Sequence, residues 1–238
     1  MKTFLSVIIP LYNEEKRLDN LSRIYEYLNK HRWNYEILLI NDGSSDNTLS
    51  KLKQLNKKFR SSIISYQRNR GKGFAIREGI LKANGEFRLF TDIDLSTPIN
   101  EFDKFIPHLN NFDVLIGSRR KKGARFIIHQ PMFREQLGKG FTKLSQLTLG
   151  LRQTDFTCGF KCFSKEAAEK IFFRQKIDRW GFDTEILFIS KKMGLSVKEI
   201  PVVWKNDIET RVKLPRDIIT SLVDLVKIRF NDFMGLYD

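Results

Sequence analysis

Short apolar runs alternate with segments of helical spacing through the first half of the chain, and no other feature limits its fold so tightly. Leu5 to Pro10, Tyr35 to Asn41, Ile63 to Tyr66, Phe87 to Phe90 and Val114 to Ile116 have the length and apolar content of buried strands. Between them, Glu15 to Lys30 carries Leu18, Leu21, Ile24, Tyr25 and Leu28 at helical spacing. Asp46 is placed to cap a helix to about Phe59, and Gly71 precedes one carrying Phe74, Ile76, Ile80 and Leu81. Thr97-Pro98 predicts a further helix to about Pro107. Repeated β-α-β order implies an α/β fold with a mostly parallel sheet and helices on both faces.

The second half is patterned differently. Residues 119–150 are basic and glycine-punctuated, with Phe126, Ile127, Ile128, Met132 and Phe133 among cationic side chains. Phe160 to Phe163 reads as a strand, Ser164 as the cap of a helix, Phe182 to Met193 as a helix ended by Gly194, and Val197 to Trp204 as a last strand. Beyond Pro215, Ile218, Ile219, Leu222, Val223, Val226 and Phe230 mark an amphipathic helix. The expected organisation is one domain over 1–210 with a C-terminal amphipathic helical extension over 211–238.

In open parallel sheets, functional groups gather at the carboxyl ends of the strands. Four strands here end in polar, turn-like sequence: Pro10-Leu11-Tyr12-Asn13-Glu14, Asn41 to Thr48 with Asp42 and Gly43, Asn69-Arg70-Gly71-Lys72-Gly73, and Asp92-Ile93-Asp94. In an extended segment Asp92 and Asp94 share a face, and two like charges so close repel unless a cation lies between them. Mg²⁺ is commonly held by one or two carboxylates plus substrate phosphates. Carboxylates, backbone donors and a glycine-flanked lysine on one rim suit a nucleoside diphosphate.

The net charge of +14 favours anionic partners: phosphorylated substrates, an anionic membrane surface or nucleic acid. No zinc finger, RNP strand or helix-turn-helix is present in the sequence, so nucleic acid is not the expected partner. Apolar runs such as Ile37 to Ile40 fall far short of the roughly 20 residues that span a bilayer, and no secretory leader is recognisable at the N-terminus. The expectation is a cytoplasmic protein, peripheral on the cytoplasmic face of a membrane. If the segment of Cys158 and Cys162 is extended, four residues set their Cα atoms about 13 Å apart, too far for a disulfide.

Through these four rim motifs the sequence resembles the family 2 glycosyltransferases of GT-A fold, whose sheet is Rossmann-like. Within that family it is similar to the dolichyl- or polyprenyl-phosphate β-glucosyltransferases, through Gly117-Ser118-Arg119, Gln130-Pro131 with Arg134, Asp155 to Lys161, and Arg179 to Glu185. The resemblance implies an inverting, metal-dependent enzyme moving a sugar, expected to be glucose, from a UDP-sugar to a polyprenyl phosphate. It implies that Pro10, Tyr12, Asn13, Glu14, Asp42, Gly43, Asn69, Gly71, Lys72 and Asp92 line the nucleotide-sugar pocket, with Asp42 accepting from the uracil ring NH. Asp92 and Asp94 would hold Mg²⁺ or Mn²⁺, though Ser96 stands where mannose-transferring relatives often carry Gln. Arg119 and Arg134 would bind the acceptor phosphate. Asp183 would accept from donor-sugar hydroxyls or, in the alternative reading with a hydroxyl acceptor, serve as general base.

Overall fold

The computed structural model describes residues 2–59, 61–128, 132–206 and 214–238; the side chains of Lys58, Met132, Arg134 and residues 214–218 lie outside that description. Among the described residues the strands are β1 (Leu5–Leu11), β2 (Tyr35–Asp42), β3 (Ser62–Tyr66), β4 (Phe87–Thr91), β5 (Val114–Ser118), β6 (Arg125–Ile128), β7 (Phe160–Ser164), β8 (Val197–Pro201) and β9 (Val203–Lys205). The helices are α1 (Asn20–Lys30), α2 (Thr48–Phe59), α3 (Lys72–Lys82), α4 (Met132–Leu149), α5 (Lys165–Arg174), α6 (Phe182–Lys192) and α7 (Leu214–Phe233).

Seven strands make one sheet in the order β3-β2-β1-β4-β7-β5-β8, and β6 pairs with β9 in a separate ribbon. Strands β1 to β4 run parallel, as the β-α-β order requires, whereas β7 is antiparallel to both β4 and β5. Alternate residues of β1 feed two cores. Leu5, Val7 and Ile9 pack with Leu21, Ile24 and Leu28 on one face; Ile8 packs with Ile76, Ile80 and Ile186 on the other. Each such aliphatic side chain removed from water contributes about 1.5–3 kcal/mol.

Three sequence expectations need correction, and one helix was not foreseen. The segment after Pro98 is not an α-helix but two short 3₁₀ turns, Ile99–Lys104 and Ile106–His108, and Thr97 makes no side-chain cap there. The expected strand Val197 to Trp204 breaks at Val202, so β8 and β9 belong to different sheets. Helix α1 starts only at Asn20, after a string of turns from Glu15. Helix α4 carried too weak an apolar pattern to predict, because Thr142 and Ser145 are among the residues it buries, alongside Leu149.

The last helix packs by one side only. Asp224, Leu225 and Ile228 are buried, and Tyr237 just beyond donates to Glu185 Oε1 at 2.6 Å. Ile219, Val226, Phe230 and Phe233 are each at least 60% exposed. Among the described residues no helix is long and apolar enough to cross a membrane.

Candidate active site

The carboxyl ends of β1, β2, β3 and β4 meet as predicted, and the first three are tied together by side-chain to backbone bonds. Asn13, at φ 54°, accepts from Ser45 N at 2.7 Å and donates its own N–H to Ser44 Oγ at 2.9 Å. Glu14 N donates to Thr48 Oγ1 at 2.8 Å while its carboxylate pairs with Arg17 at 2.7 Å. Pro10 and Tyr12 stand beside them at the rim, Tyr12 exposed.

Asp42 ties the rim together within the chain. Its carboxylate accepts from Asn69 Nδ2 at 2.7 Å, Arg70 N at 2.8 Å and Gly71 N at 2.9 Å, so it anchors the loop after β3. Burial pushes its carboxyl up, against the opposing effect of those backbone donors. Two glycines make the joint possible. A Cβ on Gly43 (φ 64°) would lie 2.4 Å from the Arg68 carbonyl carbon, and one on Gly71 (φ 116°) 2.4 Å from Asp178 O.

Gly71 launches α3, and Lys72 in its first turn reaches Asp92, with contacts of 2.7 and 2.8 Å to the two carboxylate oxygens. Burial opposes the Lys72 charge, but Asp92, Asp183 and Asp94 outweigh it and raise its pKa. Strand β4 stops at Thr91, so the acidic pair sits on a turn closed by Leu95 N to Asp92 O at 3.2 Å rather than on extended strand. Burial still alternates along it: Ile93 and Leu95 are buried and both aspartates are partly exposed. Leu95 holds φ 50°, a left-handed conformation that costs a non-glycine residue roughly 1–3 kcal/mol and tends to persist at functional sites.

Asp94 differs from its partner. Ser96 N donates to it at 2.8 Å, and among the described residues no cation pairs with it. Burial and the neighbouring Asp92 charge push its carboxyl up. A carboxylate in that position is eased by a cation. Among the described residues no group of three or more His, Cys, Asp or Glu is gathered for a metal; Asp92 and Asp94 are the hard oxygen donors at this turn. That fits Mg²⁺ or Mn²⁺ completed by diphosphate oxygens and water.

On the far side of β4, the 155–161 connector bears on each remaining predicted group whose side chain is described. Asp155 clasps Arg119 through Nε and Nη2, both at 2.7 Å, and Arg119 also reaches Thr157 at 2.8 Å. Burial would push the Asp155 carboxyl up, but Arg119 pulls it down to about 2. A Cβ on Gly159 would lie 2.0 Å from Asp92 Oδ2, so any side chain there would displace the Asp92 carboxylate. Lys161 pairs with Asp183, which is 4% exposed at the first turn of α6. Burial pushes Asp183 up; Lys161 and Lys72 act against it. Arg134 belongs to α4, but its side chain lies outside the described residues, as do Gln130 and Pro131.

Asp155, Gly159 and Lys161 were not singled out as site residues from the sequence, though all lie in a motif that carried the family resemblance. Trp180, whose ring centroid is 5.8 Å from Lys72 Nζ, was missed in the same way.

A family model described as Glycosyl transferase family 2 matches residues 6–172. A dolichyl-phosphate beta-glucosyltransferase of Trichomonas vaginalis is 33% identical over 95% of this chain and 73% of its own. The Saccharomyces cerevisiae protein of the same name is 34% identical over 98% of this chain and 76% of its own. Among solved structures, glucosyl-3-phosphoglycerate synthase of Mycobacterium tuberculosis, in complex with Mn²⁺, UDP and glucosyl-3-phosphoglycerate, aligns with TM-score 0.64 at 15% identity. That alignment covers 95% of this chain and 80% of the other, and it speaks to the fold.

Proposed function

The chain belongs to glycosyl transferase family 2 and is a glycosyltransferase of GT-A fold, and from that premise we propose that it transfers glucose from UDP-glucose to a polyprenyl phosphate, with inversion. The observation that carries this reading is the gathering of Asp92, Asp94, Lys72, Asp183 and Arg119 around one rim, in a chain alignable almost end to end with dolichyl-phosphate beta-glucosyltransferases.

Each group then has a task. Asp94, with Asp92, would hold a divalent cation that neutralises charge on the departing UDP. Lys72 stays charged beside Asp92, near the same diphosphate. The acceptor phosphate is largely ionised near neutral pH, its second pKa being about 6, and needs no side chain to remove a proton. It needs cationic donors instead. Arg119 has Nη1 to offer beyond its clasp with Asp155, and Arg134 is the second candidate. Burial pushes the Asp183 carboxyl up, but Lys161 donates to its Oδ1, so one carboxylate oxygen is already engaged and the group is held in place as an acceptor. That supports a hydrogen-bonding role on the donor sugar over deprotonation of a hydroxyl acceptor. Attack opposite the diphosphate inverts the anomeric carbon and yields a β-glucosyl lipid phosphate.

The acceptor's lipid would be met at a membrane surface. Ile127, Phe133 and Leu147 are exposed in and around α4, as are Val226, Phe230 and Phe233 along α7. Lys121, Lys122, Lys139, Lys143, Lys227 and Arg229 are exposed among them. Each basic residue near an anionic surface contributes about 1 kcal/mol. The reading is tested by following UDP release from UDP-glucose with divalent metal and either polyprenyl phosphate or the matching polyprenol. Release only with the phosphate is expected; equal release with the alcohol would return Asp183 to the role of general base.

A further inference from the structure

Lys161 occupies a position built for an apolar side chain. On β7 it lies directly opposite Phe90 of β4 on one side and Ile116 of β5 on the other, both fully buried core residues. Its own exposure is 0%, and its ammonium lies 5.3 Å from the Phe90 ring centroid. Its β7 neighbour on the same face, Phe163, belongs to that core. A lysine at the centre of a sheet gives up its hydration, and a buried ion pair is generally no more stabilising than well-packed apolar residues of similar volume. Packing therefore does not account for it.

Its contacts do. The ammonium donates to Cys158 O at 2.7 Å and to Asp183 Oδ1, fixing both the connector and the carboxylate. The charged groups facing Asp183 are Lys161 from β7, Lys72 from α3, Asp92 after β4 and Arg119 after β5. Lys72 is already in contact with both oxygens of Asp92, which leaves Lys161 as the direct partner of Asp183. We propose that Lys161 is a positioning residue for donor recognition: from beneath the site it holds the Asp183 carboxylate oriented to accept from hydroxyls of the transferred sugar. This rests on the proposed role of Asp183 with a nucleotide sugar.

The test compares binding of UDP and of UDP-glucose, each with Mg²⁺, by titration calorimetry, with thermal melting as a check on folding. Lys161→Met alone strands a buried carboxylate and Asp183→Asn alone a buried ammonium, and either can cost the fold. The paired variant Lys161→Met with Asp183→Asn, which removes both charges, is therefore compared with the native protein as well as with Asp183→Asn. Asp183→Asn is expected to weaken UDP-glucose binding about tenfold or more, the usual consequence of losing hydrogen bonds to a charged group, while UDP binding stays within about threefold. The paired variant is expected to match it in both ligands, because Lys161 acts only through Asp183. A purely structural lysine would instead weaken UDP and UDP-glucose together. The inference is overturned if the paired variant binds UDP-glucose more than about tenfold worse than Asp183→Asn. It is also overturned if that variant fails to fold where Asp183→Asn folds, or if Asp183→Asn binds UDP-glucose normally. A native protein that binds UDP but not UDP-glucose would remove the donor reading itself, and the inference with it.

Discussion

The two sides of the site are held together by different forces. Along β1, β2 and β3 the rim loops are bound mainly by backbone amides donating to side chains: Ser45 to Asn13, Glu14 to Thr48, and Arg70 and Gly71 to Asp42. Beyond β4 the organising contacts are charge pairs, the partly buried Arg119 with buried Asp155 and buried Lys161 with Asp183. Amide-held loops form a rigid cradle at low electrostatic cost. Buried charge pairs carry a desolvation penalty, and their concentration on one side marks where charged ligands must be met. The acidic turn, with Asp92 paired and Asp94 unpaired by any described cation, lies between the two regimes.

The largest expected effect is at that boundary. Asp94→Asn should leave melting nearly unchanged, because the residue is only partly buried and makes one backbone bond, yet lower turnover by about 10²-fold or more. Near-native metal-dependent turnover in the folded variant would place the cation elsewhere. Next comes a test of the charge-paired side. Arg119→Lys cannot reproduce the bidentate clasp on Asp155, and it should raise the acceptor KM about tenfold while UDP binding changes little. An equal loss of UDP affinity would assign Arg119 to the donor.

On the amide-held side, Asp42→Ala removes the acceptor of three hydrogen bonds. It should destabilise the protein by about 1–3 kcal/mol and weaken UDP binding through the loosened 69–71 loop. Unchanged melting would mean that this loop is set by its glycines alone. The smallest effect belongs to the outer face of α7. Phe230→Glu with Phe233→Glu should reduce binding to anionic vesicles several-fold in a flotation assay, without altering turnover on a short-chain acceptor in detergent. Undiminished vesicle binding would remove α7 from the membrane contact.

The order of elements along the first half of the chain and the parallel half of the sheet were legible because buried strands and amphipathic helices write their period directly into the sequence. The four rim motifs were legible because turn chemistry and paired carboxylates stand out locally. What stayed hidden was long-range or polar. The ion pair of Lys161 with Asp183 joins residues 22 apart, and nothing local marks a lysine as buried. Helix α4 hid because Thr142 and Ser145 return their hydroxyls to their own helix at Gly138 O and Phe141 O, so polar side chains pass as buried ones. Asp42 was foreseen as a ligand for the base; that its carboxylate also anchors the 69–71 loop depends on contacts that only folding brings together.

The account stands or falls on the identity of the product. Incubation with UDP-glucose, a short polyprenyl phosphate and Mg²⁺ or Mn²⁺, followed by mass and anomeric analysis of the extracted lipid, measures it directly. A lipid heavier by one hexose, joined through phosphate as the β-anomer and absent when metal or UDP-glucose is omitted, is the predicted result. Consumption of UDP-glucose with the sugar on a hydroxyl, or an α-linked lipid phosphate, would contradict it.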